Sequence, residues 1–171
     1  MFHRAIVVAL FHCLFANAGG EQQTMPLPSA WHGTWKGKVV TTTANDKSSE
    51  VMVKLRIEPI KGTCDVTWTT TYVDGVKTQV RDYRLVPDSD KPGRFRIDER
   101  NGVLLDARLV NGVIYSQFKV GGSVLTARYE LRGDILRLEV TSAMPADDKS
   151  GKGAIQALVV GVVQTAELKK T

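Results

Sequence analysis

From Trp31 onward the chain alternates apolar and polar residues with a period of two. Val51, Val53, Leu55 and Ile57 interleave with Met52, Lys54, Arg56 and Glu58, and Cys64, Val66, Trp68 and Tyr72 share a phase against Asp65, Thr67 and Thr69. Leu125, Ala127, Tyr129 and Leu131 alternate with Thr126, Arg128 and Glu130, and Leu136, Leu138 and Val140 with Arg137 and Glu139. Such stretches are strands with one dry and one wet face. No run of similar length repeats apolar residues at helical spacing. Between the stretches stand Lys61-Gly62, Asp74-Gly75, Pro92-Gly93, Asn101-Gly102, Asn111-Gly112, Gly121-Gly122 and Gly133-Asp134, and from Gly93 to Gly133 the turn glycines recur every nine to eleven residues. That spacing suits antiparallel strands joined by tight hairpins and leaves no room for crossover helices.

The pattern predicts about ten strands, over 33–43, 50–59, 63–73, 76–86, 94–99, 103–109, 113–120, 123–131, 134–142 and 155–168. A meander of this length exposes two edges unless it closes on itself. The expected fold is therefore all-β, an antiparallel up-and-down β-barrel of about 8–10 strands. A sandwich is the alternative, but the short connections leave little room for Greek-key crossings. The polar segment 145–153 is the longest expected loop, and the apolar run Ile155 to Val163 reads as a buried strand.

The first residues interrupt this picture. Met1-Phe2-His3-Arg4 is basic, Ala5 to Phe15 is apolar, and Ala16-Asn17-Ala18 places small residues where a signal peptidase inspects them. This predicts a leader over 1–18, a flexible arm over 19–30 and a single domain over 31–171, with a secreted or periplasmic location. The apolar run is shorter than the roughly 20 residues a membrane span needs. Losing the leader removes Cys13, His3 and His12, so only Cys64 and His32 remain of their kinds, and the net charge of +5 falls by the one unit of Arg4. A lone cysteine forms no internal disulfide, and Cys64 reads as a small buried residue. The basic residues are interspersed with acids, which argues against a nucleic-acid stripe.

The start of the β region, Trp31-His32-Gly33-Thr34-Trp35-Lys36-Gly37, resembles the first-strand signature of the lipocalins and fatty-acid-binding proteins, the calycin group. The resemblance implies a closed barrel with an inner cavity. It also implies that Gly33 permits close backbone approach and that Trp35 plugs the closed end beneath a basic side chain from the last strand, with Lys169 and Lys170 as candidates. The arm, with Pro26-Leu27-Pro28-Ser29, is also similar to that of periplasmic metalloprotease inhibitors, which insert it into a protease cleft; the second cysteine of that group is missing here.

Candidate chemistry is sparse. A catalytic triad would have to use His32, no serine sits in a Gly-x-Ser-x-Gly turn, and no His, Cys or carboxylate cluster has metal-ligand spacing. Asp98 and Glu99, adjacent on a strand, point to opposite faces, and Asp147-Asp148 falls in the polar loop. The reading is a barrel that is not an enzyme and has no metal or cofactor. Arg81, Tyr83, Arg96, Arg108, Tyr115, Arg128 and Tyr129 lie on neighbouring strands, where inward members would hold the polar head of an amphipathic ligand. Arg81, Tyr83, Tyr129 and Trp68 are the candidate ligand-binding residues, and Gly33 and Trp35 the structural ones. The expected function is binding of a small apolar or amphipathic ligand. The alternative is a protein-binding or protease-inhibitor-like barrel acting through its surface or its N-terminal arm.

Overall fold

In the computed structural model, which describes residues 25–146 and 156–171, the alternating stretches become ten strands among the described residues. They are β1 (Gly33–Thr43), β2 (Ser48–Pro59), β3 (Val66–Asp74), β4 (Lys77–Pro87), β5 (Arg94–Asp98), β6 (Leu104–Val110), β7 (Val113–Val120), β8 (Ser123–Arg132), β9 (Ile135–Pro145) and β10 (Leu158–Lys170). Each pairs antiparallel with its chain neighbours and β10 pairs with β1, so the sheet closes and no edge is left free. Asn111-Gly112 and Gly121-Gly122 hold positive φ at both positions, 50° and 77° in the first turn and 54° and 83° in the second. Turns of that kind match the twist of the strands they join.

The dry faces point inward. Trp35, Ile57, Leu85, Phe95, Ile114 and Leu136 are among the most deeply buried side chains, while Lys38, Lys54, Arg56 and Glu139 are exposed. An apolar inside and a charged outside invert the arrangement of a membrane-spanning barrel. No helix among the described residues is long and apolar enough to cross a membrane.

One end of the barrel is stoppered. A 3-10 turn, Ser29–Trp31, precedes β1, and Leu27, Trp31 and Trp35 pack into the core there. The Trp35 indole donates to the Trp31 carbonyl at 2.9 Å. Lys170 Nζ lies 5.1 Å from the centre of the Trp35 ring and donates to the Ala30 carbonyl at 3.2 Å. The last strand thus pins the segment that enters the first, and Lys170 is the basic residue over the plug.

Close backbone approach, expected at Gly33, occurs instead at Gly37. A side chain on Gly37 would collide with the carbonyl oxygen of Glu167, because Gly37 sits opposite Leu168 in the β1–β10 register. Gly33 serves another purpose. Its φ of +127° turns the chain into β1, and a Cβ there would meet only the flexible end of Lys170.

Three further expectations change. Cys64 is exposed, because β3 begins at Val66 and Cys64 belongs to the preceding turn, where alternation no longer sets direction. The arm over 19–30 is not free throughout, since Leu27 is 2% exposed in the core. Within the apolar run Ile155 to Val163, Leu158, Val159 and Val160 are exposed at the start of β10, beyond the reach of the core. The leader over 1–18, the arm up to residue 24 and Asp147-Asp148 lie outside the described residues.

Candidate functional site

Because every strand alternates, each connection lies at a fixed end of the barrel. The turns after β2, β4, β6 and β8 share the stoppered end with Gly33 and Lys170, and those after β1, β3, β5, β7 and β9 surround the other. Large side chains fill the stoppered half. Toward the other end the inward residues leave an internal chamber of about 240 Å³.

Trp68 and Tyr72 of β3, Arg81 and Tyr83 of β4, Ala127 and Tyr129 of β8 all line this chamber. The four residues singled out from the sequence, Arg81, Tyr83, Tyr129 and Trp68, are thereby brought to one cavity. Spacing by two or four residues puts each pair on the same face, and register adds the rest: Trp68 lies opposite Tyr83, and Tyr129 opposite Leu138. Trp68 meets Tyr129 edge to face with ring centres 5.1 Å apart, and Trp31 lies 6.4 Å behind Trp68. An aromatic floor therefore separates the plug from the chamber. Leu105, Phe118, Leu125 and Val140 supply apolar walls.

The other members of the arginine and tyrosine group do not join them. Arg96, Arg108 and Tyr115 are exposed, and Arg128 binds Glu130 at 2.7 Å on the outer wall. Their phase explains this, since Tyr115 and Arg128 alternate with the inward Ser116 and Ala127. His32 sits at the stoppered end beside the 3-10 turn, and its Nε2 is buried without a protein hydrogen-bond partner. Among the described residues, no group of three His, Cys, Asp or Glu side chains converges on a point.

Beyond the chamber, toward the open end, lies a vestibule of about 390 Å³. Tyr72, Arg81 and Gln164 line both spaces and form the neck between them. The Arg81 guanidinium stands 5.4 Å over the Tyr72 ring and has no ion-pair partner among the described residues. Glu99, the one carboxylate of the chamber wall among the described residues, accepts a hydrogen bond from Asn101 Nδ2 at 3.3 Å. Burial raises the Tyr129 pKa well above the ordinary tyrosine value, and the neighbouring Tyr72 adds to the effect. Burial also raises that of Tyr72, against the opposing charge of Arg81. Tyr83 rises through burial and then through the negative charge of Glu99. The lining is thus neutral and aromatic in its depth, with one cation at the neck and one carboxylate already engaged.

Tyr72, Glu99, Ser116 and Gln164 are site residues that sequence reasoning did not select. Tyr72 was visible in phase with Trp68. Glu99 falls just after β5, and Gln164 follows the irregularity between Val160 and Val162 in β10, so neither could be placed by counting along a regular strand.

No protein-family model and no curated protein matches the chain. Solved structures do. The S-type phycobiliprotein lyase CPES from Guillardia theta superposes with a TM-score of 0.61 at 8% identity, over 84% of this chain and 89% of that one. A protein of unknown function from the DUF3598 family of Nostoc punctiforme PCC 73102 gives 0.58 at 14% identity, over 86% of this chain but 51% of its own. Rv2717c from M. tuberculosis gives 0.55 at 14% identity, over 86% and 99%. The fold is calycin-like.

At these identities the likeness establishes the calycin-like fold and nothing finer. It nevertheless corrects one expectation, that the barrel is not an enzyme. That expectation rested on missing triads and metal clusters, and a lyase is built on this same barrel. The absence of a nucleophile–base pair is therefore no argument against chemistry in a calycin-like cavity.

Proposed function

We propose that this calycin-like barrel takes up a small amphipathic molecule, with its apolar or planar body in the chamber and an anionic head at the neck. The observation that carries this reading is the position of Arg81. It is a cation with no ion-pair partner among the described residues, at the one constriction between an aromatic chamber and an open vestibule. A carboxylate or phosphate there gains charge-assisted hydrogen bonds, while its tail gains the hydrophobic contribution of the walls. The chamber is smaller than the roughly 300–1,000 Å³ of pockets that bury drug-sized ligands. It suits a short chain or a small ring system, and a larger ligand extends into the vestibule. The phycobiliprotein lyase supports the reading only as an example of this fold in a protein that handles a small molecule.

The test is uptake of a fluorescent fatty acid and of its matching alcohol, with solvent extraction and native mass spectrometry of the purified protein. Ala127→Phe fills the chamber and should abolish uptake of both. Arg81→Ala should weaken the acid by about tenfold or more and change the alcohol little, since hydrogen bonds to a charged group contribute more than neutral ones. A protein that purifies empty and takes up neither probe would overturn the proposal.

The alternative, capture of a protein through the barrel surface or the N-terminal arm, is narrowed at the arm by the burial of Leu27, which ties that residue to the core while its neighbours stay exposed. Export follows from the leader as a companion proposal. Expression with the native N-terminus should yield a mature chain beginning at Gly19, read by intact mass; retention of residues 1–18 in an export-competent host would refute it.

A further inference from the structure

Charge inside the chamber is one-sided and balanced. The wall built by β6 to β9 presents Leu105, Phe118, Leu125 and Val140, and Ser116 there donates its hydroxyl to the Asp106 carbonyl at 2.8 Å. The two charged groups of the lining both belong to the β4–β5 side, Arg81 on β4 and Glu99 just after β5. Arg84 lies opposite Asp98, so continuing that register brings Tyr83 beside Glu99 and Asp82 beside Arg100, in keeping with the 3.9 Å contact between Arg100 and Asp82. Arg81, two residues along β4 from Tyr83, is then the diagonal neighbour of Glu99. Diagonal neighbours are roughly 7–8 Å apart at the backbone, a gap that long side chains can bridge.

These two do not bridge it. Arg81 leans the other way, over the Tyr72 ring of β3 at 5.4 Å, and has no ion-pair partner among the described residues. Glu99 is partly buried, and its bond from Asn101 is long at 3.3 Å, whereas a carboxylate has room for about four acceptor contacts. Tyr83 stands between the charges and feels both: burial raises its pKa first, Glu99 adds to the rise and Arg81 opposes it. The vestibule repeats the balance, with Lys77 and Asp74 opposite one another in the β3–β4 hairpin. The lining of chamber and vestibule thus carries two cations and two carboxylates among the described residues. A bare carboxylate drawn to Arg81 meets the repulsion of Glu99, and a bare ammonium drawn to Glu99 meets that of Arg81. A head bearing both groups satisfies both walls of the gap in front of Tyr83.

We propose that the ligand is a zwitterionic amphipath, an amino acid with a long or aromatic apolar side chain, its carboxylate on Arg81 and its ammonium on Glu99. Its side chain lies against the apolar wall of β6 to β9. This rests on the ligand-binding reading above and narrows its anionic head to a paired charge.

The experiment is isothermal titration calorimetry of the full chain near neutral pH with three probes that share one alkyl chain: decanoic acid, 2-aminodecanoic acid and decylamine. The amino acid should bind about tenfold or more tightly than either of the others, since charge-assisted hydrogen bonds are the strong ones. Glu99→Gln should cancel its advantage over decanoic acid, which itself binds more tightly once the repulsion is gone. Arg81→Gln should cancel its advantage over decylamine. Decanoic acid or decylamine matching the amino acid on the unaltered chain would overturn the proposal, as would a Glu99→Gln chain that keeps the tenfold preference. The ranking on the unaltered chain decides even where a variant does not fold. The two readings fail separately: decanoic acid bound as tightly as the amino acid removes the zwitterion and leaves the chamber assignment standing, whereas no binding of any probe removes both.

Discussion

Trp35 is a fully buried plug, held to Trp31 through its indole N–H and covered by Lys170. Truncating it removes a large buried side chain and leaves the Trp31 carbonyl without its donor. Trp35→Ala should therefore cost about 3–5 kcal/mol in urea unfolding, and a loss under about 1 kcal/mol would contradict its burial. The residue was legible in the sequence because a Gly-x-Trp start at the head of a meander resembles a known barrel entrance. Arg81 was less distinct, one arginine among several. Its phase with Tyr83 and Leu85 separates it from Arg128, whose phase with Glu130 sends it outward. Cys64 misled for the complementary reason: it continues the alternation of Val66 and Trp68 in the sequence, but the strand has not yet begun.

Among the strands, the seam between β1 and β10 makes the barrel, and it was the least accessible to sequence reasoning. Hairpin partners are announced by their turns, whereas β1 and β10 meet across almost the whole chain and nothing local specifies their register. The alternation predicts that a closing pair exists; Gly37 shows how closely it closes. Its φ is not in the left-handed region, so alanine fits the backbone conformation there and the obstacle is the Glu167 carbonyl and the Leu168 side chain. Gly37→Ala should destabilise by about 1–3 kcal/mol, the usual cost of overpacking, and should speed amide exchange along β1 and β10 before β6 and β7. A variant as stable as wild type, with unchanged exchange at the seam, would show that the two strands do not approach this closely. The start of β10 eluded the sequence for a related reason: hydrophobicity alone marks Leu158 to Val160 as buried, but burial depends on how far the core extends toward the open end.

For the whole molecule, the distribution of titratable groups sets how stability follows pH. On the acid side the ion pairs lie at the surface and contribute little. Glu130 is held below the ordinary carboxylate range, first by its hydrogen bond to Arg132, so its stabilisation is present above the unfolded glutamate pKa and fades as pH falls through the folded one. On the alkaline side the chamber decides. Tyr129 and Tyr72 keep their protons in the folded barrel to higher pH than in the unfolded chain, chiefly because burial disfavours the phenolate. Their contribution is complete below the unfolded tyrosine pKa of about 10 and is lost above it, by up to about 1.4 kcal/mol per pH unit for each tyrosine. Urea unfolding between pH 7 and 11 should show a plateau and then a decline. Exposed lysines also titrate there, so the diagnostic comparison is Tyr129→Phe, which keeps the lysines and removes one buried phenol. Its altered contact with Trp68 lowers the plateau, but its decline above pH 10 should be shallower than that of wild type. Identical slopes would mean that the Tyr129 hydroxyl meets water freely and that burial does not hold its proton in the folded barrel.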